Sequence, residues 1–344
     1  MHFSTLIQNW YRQNKRDLPW RFSNDPYLIW LSEVILQQTR VEQGLPYYLK
    51  FSKRFSTVKK LATAQEDEIL NLWQGLGYYS RARNMHAAAK QIVTEYKGEF
   101  PDDYNKIRAL KGVGDYTAAA IASFAFNQPH AVVDGNVYRV LSRVYKEPTP
   151  IDSSEGKKIF SQLANQILDK KNPAQHNQAI MELGALVCSP KSPSCSMCPV
   201  QIKCLSFADD SFLNYPVKKK KLVVRQRFFN YGLVTDGKKI VLKKRGDGDI
   251  WNGLYDFRLI ENLKDSSEVP DKFNDLEKVS IKLDGTFTHL LSHQKISAKF
   301  WMVKVKKIKL NKGEILVDIS NLYDYPMPQL LIRYLNESSL LYAL

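Results

Sequence analysis

Cysteine is scarce in this chain of 344 residues: there are four, all between positions 188 and 204, so a small scaffold stapled by disulfides is excluded. Long apolar runs are missing as well. The longest nearly unbroken stretch, Ala118–Phe126, falls far short of the ~20 residues a membrane helix needs. Residues 1–10 lack a basic start followed by an apolar run, so no secretory signal and a soluble, cytoplasmic protein are expected. Glycine and proline, at 16 and 15, are too few for a collagen-like or low-complexity chain. Acidic residues are outnumbered, 35 against 50 basic, leaving +15. That excess favours a polyanionic partner and does not by itself choose among nucleic acid, acidic membrane and acidic protein.

At roughly 150 residues per domain the length suggests two domains. From residue 3 to about 205 the apolar spacing is helical, as in Leu6, Ile7, Trp10 and Tyr11, or Ile159, Leu163 and Ile167. Asp25-Pro26 reads as an N-cap with proline in the first turn, opening a helix to about Gln38. Beyond Cys204 the pattern changes. Lys218–Lys221 form a basic linker, and Phe228–Thr235 and Lys239–Arg245 read as strands joined by an Asp236-Gly237 hairpin. Strand-like stretches at Val279–Leu283 and Ser297–Val305 precede a terminal helix from Pro328 to about Leu335. The expected architecture is a mainly α catalytic region at 1–212, a linker at 213–226 and a smaller α+β domain at 227–344.

The cysteines form C-x6-C-x2-C-x5-C at Cys188, Cys195, Cys198 and Cys204. Four thiols in so short a loop point to one tetrathiolate site, which zinc and a four-iron cluster both accept. The spacing resembles the [4Fe-4S] loop of the endonuclease III superfamily of DNA glycosylases. Two further segments agree: Leu110-Lys111-Gly112-Val113-Gly114-Asp115-Tyr116-Thr117-Ala118, similar to that superfamily's helix-hairpin-helix, and Val133-Asp134-Gly135-Asn136-Val137 after it. Gly112 and Gly114 permit a tight turn whose N–H groups face outward, and the helix start that follows favours a DNA phosphate, with Lys111 beside it. The resemblance also implies a monovalent cation on the hairpin carbonyls. Asp134 reads as an N-cap whose anion the helix start stabilises. Where bifunctional members carry a nucleophilic lysine this chain has Tyr116, and a phenol forms no Schiff base, so base release by water without strand nicking is expected.

Arg16-Asp17-Leu18-Pro19-Trp20-Arg21, then Ser32-Glu33-Val34-Ile35-Leu36-Gln37-Gln38-Thr39, then Gln74-Gly75-Leu76-Gly77-Tyr78-Tyr79 resemble the MutY family of adenine DNA glycosylases. Glu33 lies among Ile29, Trp30, Val34 and Leu36, surroundings that favour its neutral form and hence an acid. The resemblance makes Glu33 the proton donor to adenine N7 and Asp134 the anion that stabilises the sugar cation, with Tyr116 and Asn136 orienting the pair. It places Arg16, Trp20, Arg21 and Leu36 around adenine, with Gln178 where some relatives carry glutamate. Gln38, Thr39, Leu76 and Tyr78 would meet the lesion, Tyr78 by intercalation.

Gly248–Phe257 resembles the W-x-G-L-W-x-F segment of the Nudix-like domain that follows such cores, yet 260–280 holds no R-E-x-x-E-E helix for magnesium. Recognition, not pyrophosphate hydrolysis, is expected of it. His289-Leu290-Leu291-Ser292-His293 matches the family's H-x-F-S-H loop with Leu291 in place of Phe, leaving Ser292 and His293 to contact 8-oxoguanine. The implied partner is duplex DNA with 8-oxoguanine:adenine or guanine:adenine mispairs, bound by a monomer. A bifunctional pyrimidine glycosylase, an inactive DNA-binding iron-sulfur module and a zinc protein are the rival readings.

Overall fold

The structure, a computed structural model, describes residues 2–219, 224–264, 266–273 and 276–338. Lys220 and Lys221 of the basic run lie outside the described residues. By contact the chain divides into a unit drawn from Met1–Thr63 and Ala87–Lys221 and a unit drawn from Ala64–His86 and Leu222–Leu344. The first is helical and the second is built on a sheet. Residues 64–86 join the sheet because they bond to it: Tyr255 donates to Asp67 at 3.1 Å and the Met327 N–H to Gln74 at 3.1 Å.

In the helical unit, the Asp25 carboxylate accepts the Tyr27 N–H at 2.8 Å and opens the helix Pro26–Leu36. That helix stops two residues before Gln38, whose φ of +55° cannot continue it. Tyr104–Ala109 and Asp115–Phe126 form the helical hairpin, and Gly135–Val144 and Pro173–Leu186 follow. The helix Asp115–Phe126 is buried from Thr117 to Ser123, with Ala118, Ala119, Ala120 and Ala122 in its middle. These small side chains let Pro26–Leu36 lie close against it. Ile7, Val137, Leu141, Phe160 and Leu183 fill the core on the other side.

The second unit has strands β1 (Arg225–Thr235), β2 (Lys239–Lys244), β3 (Tyr255–Asp256), β4 (Arg258–Glu261), β5 (Lys278–Leu290), β6 (Gln294–Val305) and β7 (Glu314–Asp318). They run in the order β3-β2-β1-β6-β5, with β4 on β1 and β7 on β2. β1 and β6 pair in parallel and every other ladder is antiparallel, so the sheet is mixed. Alternation sends Phe229, Tyr231 and Leu233 to the face covered by the helix Gln329–Glu337, while Val234 joins Phe273, Trp301 and Val303 on the other. The strand expected to end at Leu283 continues to Leu290. Asp284-Gly285 sits at an irregularity in the β5–β6 register instead of turning the chain. Among the described residues no helix is long and apolar enough to cross a membrane.

Candidate active site

A cavity of about 170 Å³ opens in the helical unit, lined by Arg16, Trp20, Arg21, Glu33, Leu36, Thr39, Tyr116, Asp134, Asn136 and Gln178. The residues singled out for catalysis and for the adenine pocket therefore converge on one space. Glu33 comes from the helix Pro26–Leu36 and is 7% exposed. Its Oε2 accepts the Tyr116 hydroxyl at 2.7 Å. Burial pushes its carboxyl up from 4.5 to about 7, Tyr116 restrains the rise, and the charge of Asp134 adds to it. Tyr116 itself is held far above the ordinary phenol range by burial and by both carboxylates, so it stays a donor.

Asp134 caps the helix Gly135–Val144. Its Oδ1 accepts the N–H groups of Asn136 and Val137 at 3.0 and 2.8 Å, and its Oδ2 accepts the Asn136 amide at 2.7 Å. The sequence suggests an anion favoured by its helix start. In the structure burial outweighs those donors and raises the Asp134 carboxyl above its usual value, with the amides and Arg139 limiting the rise. Asn136 is held in turn by Arg139, which donates to its Oδ1 at 2.8 Å and to the carbonyls of Gly184 and Cys188 at 2.6 Å. Gly184 is the close approach that permits this: a Cβ there would stand 2.6 Å from that of Asn136.

Glu182 also lines the cavity, one helical turn beyond Gln178 and 1% exposed. Both its oxygens are engaged by Arg16 and Arg21 at 2.6–2.9 Å, and Arg16 adds its backbone N–H at 2.9 Å. Burial alone would raise this carboxyl; the hydrogen bonds from Arg21 and Arg16 hold it at about 2. Gln178 accepts the Tyr11 hydroxyl at 2.5 Å, which fixes its amide with the NH₂ group free to donate. Trp20 stands edge-on to Tyr48 at 5.0 Å.

In the hairpin, Gly112 has φ +77° and needs glycine. Gly114 does not need it for backbone reasons: its φ is −98° and a Cβ would meet nothing within 4 Å. The glycine leaves open space at the N-terminus of Asp115–Phe126, where an outside group can approach. The Lys111 N–H is taken by Gln91 at 3.2 Å. The four cysteines surround one small apolar cavity of about 30 Å³ with Val140, Leu183 and Phe212. Burial pushes the Cys198 thiol up to about 12, so four thiolates there require a cationic centre to compensate them. Arg143 supplies part of that charge, 3.3 Å from the Cys188 sulfur. Among the described residues no group of three or more His, Cys, Asp or Glu side chains is arranged to hold a single ion.

In the second unit, Tyr78, Ser292 and His293 line a cavity of about 320 Å³ with Arg83, Trp251 and Asn252. Tyr78 is 43% exposed, at φ +47°, and its hydroxyl bonds to that of Ser292. Leu76 is buried and outside this cavity, and Gln38 lies outside the one that holds Glu33.

Residues 31–166 match the HhH-GPD superfamily of base excision DNA repair proteins, and residues 230–337 match the NUDIX domain. The adenine DNA glycosylase of Buchnera aphidicola subsp. Baizongia pistaciae is 35% identical over 324 residues, spanning 93% of this chain and 92% of the relative. The chain belongs to the adenine DNA glycosylase family. The human family member is 44% identical over 215 residues, 59% of this glycosylase and 39% of its own length. Among solved structures, a thermostable thymine-DNA glycosylase aligns with TM-score 0.55 at 27% identity, covering 60% of this chain and 95% of that one. Endonuclease III in a non-covalent DNA complex aligns with TM-score 0.52 at 21% identity, covering 60% and 94%, a likeness of fold. Sequence reasoning about this glycosylase missed Glu182, Arg139 and Gly184. The only signal was spacing: Gln178 and Glu182 are four apart, as are Arg139 and Arg143.

Proposed function

We propose that this chain removes adenine from duplex DNA, where it lies opposite 8-oxoguanine or guanine, by hydrolysing the N-glycosidic bond without nicking the strand, as the first step of base excision repair. The observation that carries the reading is a buried Glu33, held near 7 and 2.7 Å from Tyr116, in one purine-sized cavity with Asp134. Adenine leaves poorly until protonated, and the sugar it leaves resembles an oxocarbenium ion, so an acid and an anion on one site are the minimal catalyst.

Glu33 delivers its proton to N7 of the flipped base and afterwards, ionised, accepts one from the attacking water. Asp134 faces C1′, and its three donors favour its charged form against the burial that raises it. Asn136 and Tyr116 fix the two carboxyls. Trp20 and Leu36 provide apolar cover for the ring, and Arg16, Arg21 and Gln178 its polar edge contacts. With a phenol at 116 the site has no amine to attack the sugar.

Cys188, Cys195, Cys198 and Cys204 would hold a [4Fe-4S] cluster. All four line one small apolar cavity beside Arg143, a setting that fits a cationic cluster core bound by four thiolates. When bound, the cluster supplies a fixed cationic core that ties the 188–204 loop to the helix carrying Arg139 and Arg143. We extend the proposal to Lys111, Gly112 and Gly114 as a phosphate site with a monovalent cation on the turn's carbonyls. Gln38, Thr39, Leu76, Tyr78, Ser292 and His293 are proposed as lesion contacts, and a cytoplasmic monomer as the working form. The boundary between functional regions is proposed at 213–226.

Single-turnover cleavage of a duplex with one 8-oxoguanine:adenine pair, with and without hot alkali, tests the reading. Cleavage at the adenine strand that needs alkali and vanishes in Glu33→Gln is expected. Nicking without alkali would replace it with a bifunctional glycosylase.

A further inference from the structure

Two short loops face Tyr78 across the second unit's cavity: the turn 249–252 and the hairpin tip at Ser292-His293. The tip ends the β5–β6 ladder and takes the Arg225 N–H of β1 on the His293 carbonyl at 2.9 Å, while the turn lies beyond the β2–β3 pairing, so the backbone fixes each loop at its base and leaves the spacing between the two loops to side chains. The tip is closed by Leu291 and Gln294, whose backbones exchange bonds of 2.8 and 3.4 Å. The turn carries Trp251 at φ +62°, a conformation that a bulky side chain keeps only where its surroundings impose it.

One guanidinium reaches both loops. Arg227 stands on β1 with its side chain 7% exposed. Its Nη1 and Nη2 donate to the two oxygens of Asp249 at 2.7 Å, and Nη1 also donates to the Gln294 side-chain oxygen at 3.2 Å. Glu261 accepts from Nη2 at 2.6 and 2.8 Å, completing the charge balance. Arg245 braces the same turn, donating to Asp249 at 2.8 Å and to the Ile250 carbonyl at 3.0 Å. The Trp251 ring meets His289, on the strand leading into the tip, edge-on at 5.8 Å.

Buried ion pairs contribute little net stability against an apolar replacement, whereas a bidentate fork fixes geometry. We propose that Arg227 is a positioning residue for recognition of the base opposite adenine: its fork ties the 249–252 turn to the Ser292-His293 tip and so sets the width of the pocket that an oxidised guanine must match. The inference rests on the reading of Tyr78, Ser292 and His293 as lesion contacts.

The test compares single-turnover excision and the affinity for an uncleavable adenine analogue, opposite 8-oxoguanine and opposite guanine, in full-length protein. The variants are Arg227→Lys, Gln294→Leu and Ser292→Ala. Arg227→Lys keeps the charge and loses the fork; Gln294→Leu cuts only the link to the tip and leaves the ionic network whole. Both are expected to lower the preference for 8-oxoguanine by about five- to tenfold while the rate opposite guanine is retained, the range expected for coupled neighbours. If Ser292→Ala lowers the preference and the other two leave it intact, the clamp is wrong and the lesion reading stands. If Ser292→Ala changes nothing, the lesion reading fails and takes the clamp with it. An equal loss opposite both bases, with a lower melting temperature, would make Arg227 purely structural and overturn the proposal.

Discussion

Glu33 and Glu182 both line one cavity, both buried, and end at opposite extremes: about 7 for one and about 2 for the other. Depth in the protein does not separate them. Glu33 has one neutral donor, Tyr116, and a second carboxyl in view. Glu182 has two guanidiniums and a backbone amide. The cavity thus has one carboxyl raised into the range where it carries a proton near neutrality, as the proposed acid requires, and one held ionised between two arginines. The contrast is set by partners, with burial the common background.

The sharpest way to break the contrast is to remove the acid. Glu33→Gln should slow single-turnover adenine excision by about 10³-fold or more, the scale of lost general-acid catalysis. The same variant should be more stable than wild type at pH 8. A carboxyl whose folded value lies above 4.5 carries no penalty below 4.5 and its full penalty above about 7, roughly 3 kcal/mol for a shift of that size. Thermal melts at pH 8 and pH 4.5 check this, with the gain vanishing at the lower pH.

Removing the other carboxyl should cost mainly stability. Glu182→Ala strands Arg16 and Arg21 and is expected to destabilise by about 3 kcal/mol, read by chemical denaturation. The sign with pH is the reverse of that for Glu33. Glu182 is held low, so its contribution is present above 4.5 and fades as pH falls toward about 2. Gly184→Ala tests the close approach to Asn136, which its methyl must displace, at about 1–3 kcal/mol for overpacking. Excision should fall while DNA affinity holds. Smallest is Tyr116→Phe, which removes the bond that lowers Glu33. The alkaline limb of the excision rate, set near 7 in wild type, should move to higher pH, with a change of a few fold at neutrality. A limb that stays put would show that Glu33 does not govern it.

That Glu33, Tyr116 and Asp134 share one cavity was legible because each sits in a contiguous motif: Glu33 within an apolar helix, Asp134 before a glycine, Tyr116 at the hairpin. The helical and sheet regions were legible for a similar reason, since spacing changes after Cys204 and Asp236-Gly237 marks a true hairpin, with Gly237 at φ +96°. What escaped depends on partners distant in sequence. Glu182 becomes a site residue only when Arg16 and Arg21, more than 160 positions earlier, reach it. The grouping of 64–86 with the sheet unit needs Asp67, Gln74 and Arg83 to find Tyr255, Met327 and the Asn252 carbonyl. β5 was read short because Asp284-Gly285 has the composition of a turn and the backbone of a bulge.

The helix Asp115–Phe126, whose buried alanines bring Tyr116 up to Glu33, also has a consequence at the level of the gene. Any single-nucleotide change of an alanine codon that alters the residue gives glycine or something larger: serine, threonine, valine, proline, aspartate or glutamate. Ala118, Ala120 and Ala122 are fully buried, so nearly every coding change at these positions either wedges two helices apart or loosens the one between them.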